Sequence, residues 1–247
     1  MAAYSSEQMG GSLRAEHVQP LLRGRFGRPY QWRAECASTQ ELARGLPHGG
    51  IAACEAQTAG RGRHGRPWTC PPGLGVLCSL SLHPSTPPER LAPFSLVAAE
   101  AVCEAVGIEA QVRWPNDVVV AGRKLAGVLP ELRGGQLVLG IGLNANLAAA
   151  DLPADARVPA TSLLIETGEE VDRARLLAHM LWIIERRFND FERDGFPGLV
   201  RDELRGRRVR LTGAGEGPCE GADEFGRLVV DGVPYTSGEV AAVVVDD

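Results

Sequence analysis

The chain has 247 residues, of which 44% are apolar, and it carries a formal net charge of −5. This length predicts one large domain or a large domain with a smaller one, and the acidic balance disfavours a general nucleic-acid or membrane-surface binder. The sequence contains no apolar run of transmembrane length and no signal-peptide core, and its six cysteines form no C-x-x-C pair. The five histidines make no zinc-ligand grouping. We therefore expect a cytoplasmic protein with reduced, mostly buried thiols.

The first elements are a short helix and two strands. Residues 38–41 (Ser-Thr-Gln-Glu) match a capping box, which predicts a helix that begins there and ends near Gly45. The apolar pattern then predicts strands over 50–57 and 75–83. Between them lies a loop rich in glycine and arginine, which runs to Trp68.

The middle of the chain predicts a helix followed by antiparallel strands. Apolar residues recur at helical spacing over 88–107, with proline at the start and glycine at the end. Residues 112–132 predict three strands, and the tight turn at 121–123 places Lys124 directly after a hairpin. A Gly-Gly turn then leads into a further strand over 136–146.

The last part predicts one long amphipathic helix and a β-rich tail. The helix covers 172–194, and about five short strands follow between 207 and 245. This pattern favours a mixed α/β domain with an appended small β-barrel, for which we set the bounds at 1–205 and 206–247.

Lys124 is the single lysine of the chain, against twenty-five arginines. An arginine bias of this kind replaces lysine wherever a guanidinium group serves equally well. The one remaining lysine therefore indicates a position where a compact ammonium group is required. Chance survival at a solvated turn is the alternative. Three of the four asparagines (Asn116, Asn144 and Asn146) lie in the same or a neighbouring segment, which favours a site.

Residues 60–66 (Gly-Arg-Gly-Arg-His-Gly-Arg) formally match the G-x-G-x-x-G pattern. A dinucleotide-binding loop must open a helix, and the prolines within 67–73 exclude one; a Walker loop is also absent from the sequence. The loop instead offers backbone N–H groups and arginine forks for a phosphate or carboxylate. A solvated loop or an RNA contact is the alternative. With Lys124 as a second cationic element, we predict a site where two anions meet.

Several blocks carry a resemblance to a known family: Ser38-Thr39, Glu55-Ala-Gln57-Thr-Ala-Gly60-Arg-Gly-Arg63-His-Gly-Arg66-Pro-Trp68, Arg113-Trp-Pro-Asn-Asp117, Lys124-Leu-Ala-Gly127 and Gly140-Ile-Gly-Leu-Asn144. Over roughly residues 30–205 the chain resembles the catalytic domain of bacterial biotin–protein ligases. The β-rich tail is similar to the small SH3-like β-barrel of that family. The resemblance implies an α+β fold, with a mixed β-sheet and flanking helices.

By that resemblance the enzyme makes biotinyl-5′-adenylate from biotin and MgATP, and then transfers biotin to one lysine of the carboxyl carrier domain of an acyl-CoA carboxylase. The implied biotin contacts are Ser38, Thr39, Gln57, Gly60, Arg61, Gly62, Arg63, Lys124 and Gly127. The implied nucleotide contacts are Arg63, Arg66, Trp68, Asn116, Asp117, Lys124 and Asn144. The implied catalytic residues are Lys124, Arg61, Arg63 and Asp117. Mg²⁺ would come with ATP, and we assign it no protein ligand with certainty.

Two of these residues receive specific roles. Lys124 would span the carboxylate oxygen of biotin and the α-phosphate, because a point charge can bridge two anions. Asp117 would help to deprotonate the incoming lysine amine, or would serve the nucleotide side or its magnesium.

The sequence departs from the family pattern at two positions. Gln40 stands where family members usually have asparagine after Ser-Thr, so we assign it no biotin contact. Pro130 interrupts a predicted strand and predicts an edge or a bulge. Only 37 residues precede Ser38, too few for the winged helix-turn-helix module of some relatives, so we expect no DNA binding.

Two other functions compete with this interpretation. A lipoate or octanoate attachment enzyme shares the general architecture, but the arginine-rich, triple-glycine signature of those enzymes is absent here. A non-catalytic biotin-binding regulator would have no need of a second cationic element beside the loop.

Overall fold

The structure is a computed structural model that describes residues 11–153, 158–213, 215–238 and 240–244. The helices are α1 (Ala15–Val18), α2 (Thr39–Ala43), α3 (Phe94–Ala105), α4 (Leu163–Thr167) and α5 (Arg173–Asp194). The strands are β1 (Tyr30–Cys36), β2 (Ile51–Gln57), β3 (Gly75–Leu82), β4 (Gln111–Arg113), β5 (Asp117–Val120), β6 (Arg123–Arg133), β7 (Gln136–Asn144), β8 (Arg208–Leu211), β9 (Glu216–Ala222), β10 (Leu228–Val230), β11 (Val233–Tyr235) and β12 (Val240–Val244).

Seven strands form a mixed sheet in the order β1-β2-β3-β7-β6-β5-β4, in which β1 and β2 are parallel and the other pairs antiparallel. Helices α3 and α5 pack on one face over the main apolar core. Helix α2 covers part of the other face, where Ala43 packs on Ala52 and Val138. Because both faces are covered, β3 is buried along its whole length.

The predicted elements agree with the observed ones, with two corrections. The helix predicted over 88–107 is interrupted: a 3₁₀ turn at Pro88–Arg90 precedes α3, which begins only after Pro93. The capping box at 38–41 is wrong, since the Ser38 side chain makes no capping hydrogen bond and Glu41 instead pairs with Arg61.

The hairpin turns lie where the glycines predicted them. Ala121 and Gly122 have φ of 47° and 77°, and both central residues of the Gly134–Gly135 turn also have positive φ, as two-residue hairpins require. Pro130 pairs in register with a residue of β7, but β5 covers β6 only as far as Gly127. Pro130 therefore lies on an edge segment, and the bulge alternative is wrong at this position.

The tail forms five strands, in agreement with the predicted number, and they pair antiparallel in the order β11-β10-β9-β8-β12. Val245, the end of the predicted range, lies outside the described residues. Its apolar side chains belong to the main core: Val209, Leu211, Cys219, Leu228 and Val230. Trp114 anchors the contact, since its indole Nε1 donates to Gly226 O at 2.9 Å. The expected α+β fold is confirmed, and the C-terminal antiparallel sheet is consistent with the expected small SH3-like β-barrel. We propose that the two units divide at 205/206.

No helix in the described part of the chain is both long enough and apolar enough to cross a bilayer.

A buried ion pair joins the long helix to the sheet. Arg173, which is fully buried, donates from Nη1 to Glu55 Oε2 at 2.7 Å and to Gly75 O at 3.0 Å. The other oxygen of Glu55 accepts from Leu13 N at 2.9 Å and Ser12 Oγ at 3.1 Å. One carboxylate thus ties β2, α5 and the N-terminal segment together.

We predict that Arg173→Met destabilises the protein by about 3 kcal/mol or more, because it leaves the buried Glu55 carboxylate without its cation. The free energy of unfolding, measured with urea, checks this. Arg175→Met is the matched control, since Arg175 is 76% exposed in its pair with Asp172 and should change stability by less than about 1 kcal/mol. Equal effects of the two substitutions would contradict the prediction.

Candidate active site

A cavity of about 670 Å³ lies on the α2 face of the large sheet. Val138, Gly140 and Gly142 alternate along β7, so they share this face. Helix α2 covers Val138, and the Trp68 ring covers Gly142. The space between these two covers is the cavity, and every residue predicted for the site lines it except Gly60.

One end of the cavity carries neutral polar groups. Gln57 Oε1 accepts from Thr39 N at 2.8 Å and Thr39 Oγ1 at 3.2 Å, and Thr39 Oγ1 also lies 2.8 Å from Ser79 Oγ. These contacts fix the Gln57 carboxamide with its Nε2 left to donate to a ligand. Ser38 is buried, and its Oγ has no hydrogen-bond partner among the described residues.

The Gly/Arg loop folds back on itself at the mouth of this cavity. Trp68 N donates to Gly60 O at 2.9 Å and Gly62 N donates to Arg66 O at 2.7 Å, while His64 makes the turn at φ 56°. A Cβ on Gly60 would lie 2.3 Å from Trp68 O. Gly60 is therefore required to close the loop, although it does not line the cavity.

The cavity wall has an excess of positive charge. Among the described residues that line it, the cations are Arg61, Arg63, Arg66, Arg113 and Lys124, and Asp117 is the single carboxylate. Arg61 pairs with Glu41 on α2 at 2.5 Å. Burial lowers the pKa of the Arg63 guanidinium from its ordinary value, an effect that the nearby Asp117 carboxylate opposes. This wall is suited to bind more than one anionic group.

Lys124 is held at the centre of this wall. Its main chain pairs with the neighbouring segment, donating to Pro159 O at 2.7 Å and accepting from Thr161 N at 2.9 Å. Its Nζ lies 2.6 Å from Asp117 Oδ1 and 5.6 Å from the centroid of the Trp68 ring. The hairpin turn thus places the ammonium between a carboxylate and an aromatic face.

The Trp68 ring packs against the main chain at Gly142 and Gly127, where any side chain would take its place. A Cβ on Gly142 would lie 2.4 Å from Trp68 Cε2, and one on Gly127 would lie 3.2 Å from Trp68 Cζ3. The indole Nε1 is buried and has no hydrogen-bond partner within the described ranges. A buried donor without a partner is expensive, which favours a ligand acceptor at this place.

The clustered asparagines hold the cavity wall together. Asn116 Nδ2 donates to Val128 O at 2.7 Å, and Asn144 Nδ2 donates to Thr161 O at 2.9 Å. Asn146, outside the cavity lining, joins Val171 through both atoms of its amide. The nucleotide contacts assigned to Asn116 and Asn144 stay predictions.

Sequence reasoning assigned no role to several of the lining residues, among them Gln40, Ser79, Gly140 and Gly142. The two glycines carried a usable signal, because glycine at alternate positions of a strand leaves one face open to close approach. Gln40 and Ser79 carried none, since a neutral side chain has no local pattern that marks a ligand contact.

Comparisons with known proteins agree on one family. Residues 29–147 match the model of the biotin/lipoate A/B protein ligase family. The chain is 34% identical to the bifunctional ligase/repressor BirA of Bacillus subtilis, covering 79% of this chain and 67% of that protein. It is 34% identical to the biotin–[acetyl-CoA-carboxylase] ligase of Mycobacterium tuberculosis, covering 74% and 73%. The biotin protein ligase from Aquifex aeolicus, solved with biotin and ATP, superposes with a TM-score of 0.72 at 30% identity, covering 85% and 96%.

We predict that Gly142→Ala displaces the Trp68 indole, since the new methyl group would overlap the ring. Acrylamide quenching of tryptophan fluorescence should then increase, and adding Trp68→Phe should remove the increase. Gly45→Ala is the control, because a Cβ at Gly45 meets nothing within 4 Å. Quenching that is the same in Gly142→Ala and the parent protein would contradict the assigned contact.

Proposed function

The chain belongs to the biotin/lipoate A/B protein ligase family, and on that premise we propose that it is a biotin–protein ligase. It joins biotin to ATP as biotinyl-5′-AMP, with release of pyrophosphate, and then transfers the biotin to a lysine of a biotin carboxyl carrier domain. The fold, the family and the structural neighbour that holds biotin and ATP all support this activity.

The charge distribution of the cavity carries the proposal. In the first step a carboxylate oxygen attacks an α-phosphorus that already bears negative charge, so the repulsion between the two groups must be offset by fixed cations. The described residues that line the cavity supply five cations and one carboxylate, and two of the cations pair with Glu41 and Glu203 outside the lining. The part of the lining around Ser38, Gln40 and Gln57 is neutral and polar, as the uncharged ring of biotin requires.

Lys124 and Asp117 are proposed to change partners during the reaction. The ammonium lies 2.6 Å from Asp117 Oδ1. Biotin carboxylate and α-phosphate oxygens would draw the ammonium between them and stabilise the charge of the attack. The freed Asp117 carboxylate would then accept a proton from the acceptor lysine, whose amine attacks the acyl carbon and expels AMP.

Magnesium would enter with ATP rather than occupy a site built by the protein. The described residues contain no group of three acidic, histidine or cysteine side chains that could hold a metal ion. Mg²⁺ commonly binds through one or two carboxylates together with substrate phosphates, and Asp117 can supply one such carboxylate. When bound, the ion would neutralise phosphate charge.

The acceptor is proposed to be the carrier domain of an acyl-CoA carboxylase, in line with the name of the Mycobacterium tuberculosis relative. We propose a cytoplasmic location, supported by six cysteines that are all free. The expectation of no DNA binding stays a prediction.

Biotin-dependent exchange of labelled pyrophosphate into ATP tests the proposed function. A ligase catalyses the exchange, whereas a protein that only binds biotin does not. The same exchange measured with lipoate or octanoate in place of biotin tests the alternative that the protein is a lipoate or octanoate attachment enzyme. Exchange that requires lipoate or octanoate, or no exchange with any of the three acids, would overturn the proposal.

We predict that Lys124→Arg loses at least about tenfold in adenylate formation, roughly 1.4 kcal/mol of transition-state stabilisation, although the charge is kept. The planar guanidinium cannot take the place of an ammonium that bridges two anions. Pyrophosphate exchange measures the loss. The neighbouring Arg123→Lys is the control, since Arg123 pairs with Glu166 outside the cavity lining. Exchange at the parent rate in Lys124→Arg would show that the lysine is dispensable.

We also predict that the loop 58–69 exchanges its amide hydrogens quickly without ligand and slowly once biotin and ATP are added. The loop has like charges, glycines and few apolar contacts, so it depends on ligand for order. Closure would protect the mixed anhydride from water. Amides of α5 serve as the internal control. Exchange over 58–69 that ligand leaves unchanged would refute closure.

A further inference from the structure

The side chain of Lys124 leaves β6 at a place where the strand is irregular. One extra residue, Leu125, interrupts the pairing of β6 with β5 directly after Lys124, and such a bulge changes the direction of neighbouring side chains. Both main-chain hydrogen-bonding groups of Lys124 are used by another segment: its N–H donates to Pro159 O at 2.7 Å, and its C=O accepts from Thr161 N at 2.9 Å. The direction of the ammonium therefore depends on residues 158–161, which we call the strap.

Thr161 anchors the strap. The residue is fully buried, and its hydroxyl donates to Glu166 Oε1 on α4. Its carbonyl accepts from Asn144 Nδ2 at 2.9 Å. The Glu166 carboxylate also lies 2.9 Å from Nη2 of Arg123, the residue before Lys124. Glu166 thus closes a ring of contacts that returns to Lys124.

The strap also forms part of the cavity wall. Among the described residues of this region, Val158 and Ala160 line the cavity, and Thr161 and Glu166 do not. An ammonium that must meet two anions together tolerates little displacement, since a shift of about 1 Å in a catalytic group can cost a hundredfold in rate. The restraint on the main chain of Lys124 therefore bears directly on the first step of the reaction.

Resting on the proposed function, we propose that Glu166 is a positioning residue for adenylate formation. It acts through the Thr161 hydroxyl: the strap holds the main chain of Lys124, and the ammonium then meets the carboxylate and the α-phosphate in one geometry. What the reaction requires of Glu166 is an acceptor at this place. Its ion pair with Arg123 contributes little, because the Arg123 side chain is 43% exposed.

The test is the rate of biotin-dependent pyrophosphate exchange at saturating biotin and ATP. Thr161→Val keeps the size of the side chain but removes the donor, and it should lower the rate at least about tenfold. Glu166→Leu removes the acceptor and should have an effect of the same size. Thr161→Ser keeps the donor and Glu166→Gln keeps an acceptor, so each should stay within about threefold of the parent rate.

A double-mutant cycle separates positioning from a purely structural role. In the Lys124→Arg background the bridging ammonium is already lost, so Thr161→Val should lower the rate by less than about threefold more. A loss of the same factor in both backgrounds would show that the strap does not act through Lys124, and would overturn the proposal. Thr167→Val is the matched control on α4, because its hydroxyl donates to Leu163 O at 2.8 Å and not to the strap. This control should exchange at the parent rate.

The outcomes separate this inference from the proposed function. Melting temperatures establish that each variant is folded. If the parent protein shows no biotin-dependent exchange, the proposed function fails and the inference fails with it. If the parent exchanges, and folded Thr161→Val or folded Glu166→Leu does so at the parent rate, only the role of Glu166 is overturned. A loss that the conservative variants avoid, and that is small in the Lys124→Arg background, supports the inference.

Discussion

The repulsion between two anions that must meet is the constraint on which this structure depends. The cations that offset this repulsion also repel one another. The protein reduces that repulsion by pairing two of them with separate carboxylates. Arg61 rests on Glu41 of α2, and Lys124 rests on Asp117 of β5. These pairs are partly exposed, so a ligand with two anionic groups can replace the carboxylates at modest cost.

The Arg113–Glu203 pair differs from these, and the difference shows which charges serve the fold. Arg113 makes a bidentate contact with Glu203 at 2.5 and 2.6 Å, and the glutamate side chain is only 1% exposed. A buried pair of this geometry is difficult to break, because one partner would be left buried with its charge unpaired. It fastens β4 to the connector before the C-terminal sheet. Positive charge at the cavity thus comes both from the partly exposed pairs of Arg61 and Lys124 and from Arg113, which a buried carboxylate holds in place.

Much of the fold could be predicted because its signals are local. Paired residues with positive φ at Ala121–Gly122 and Gly134–Gly135 follow from turn chemistry, and the period of the apolar residues predicts α5. The failures depend on contacts distant in sequence. Glu41 looks like half of a capping box, but its partner is Arg61, twenty residues away. Gln40 gave no signal either, since its environment is built by Leu129 and Gly140 from other strands.

The rare residues show where composition stops being informative. The sequence predicted one site from the single lysine and the clustered asparagines, but in the structure these residues have different roles. Lys124 presents its ammonium to the cavity, while the amide nitrogens of Asn116 and Asn144 are spent on backbone carbonyls of the wall. In both asparagines the short side-chain amide donates to a main-chain carbonyl at close range. A rare residue type therefore indicates that its position requires that side chain. The atoms that the side chain contacts then show whether it serves the chemistry of the cavity or the structure of its wall.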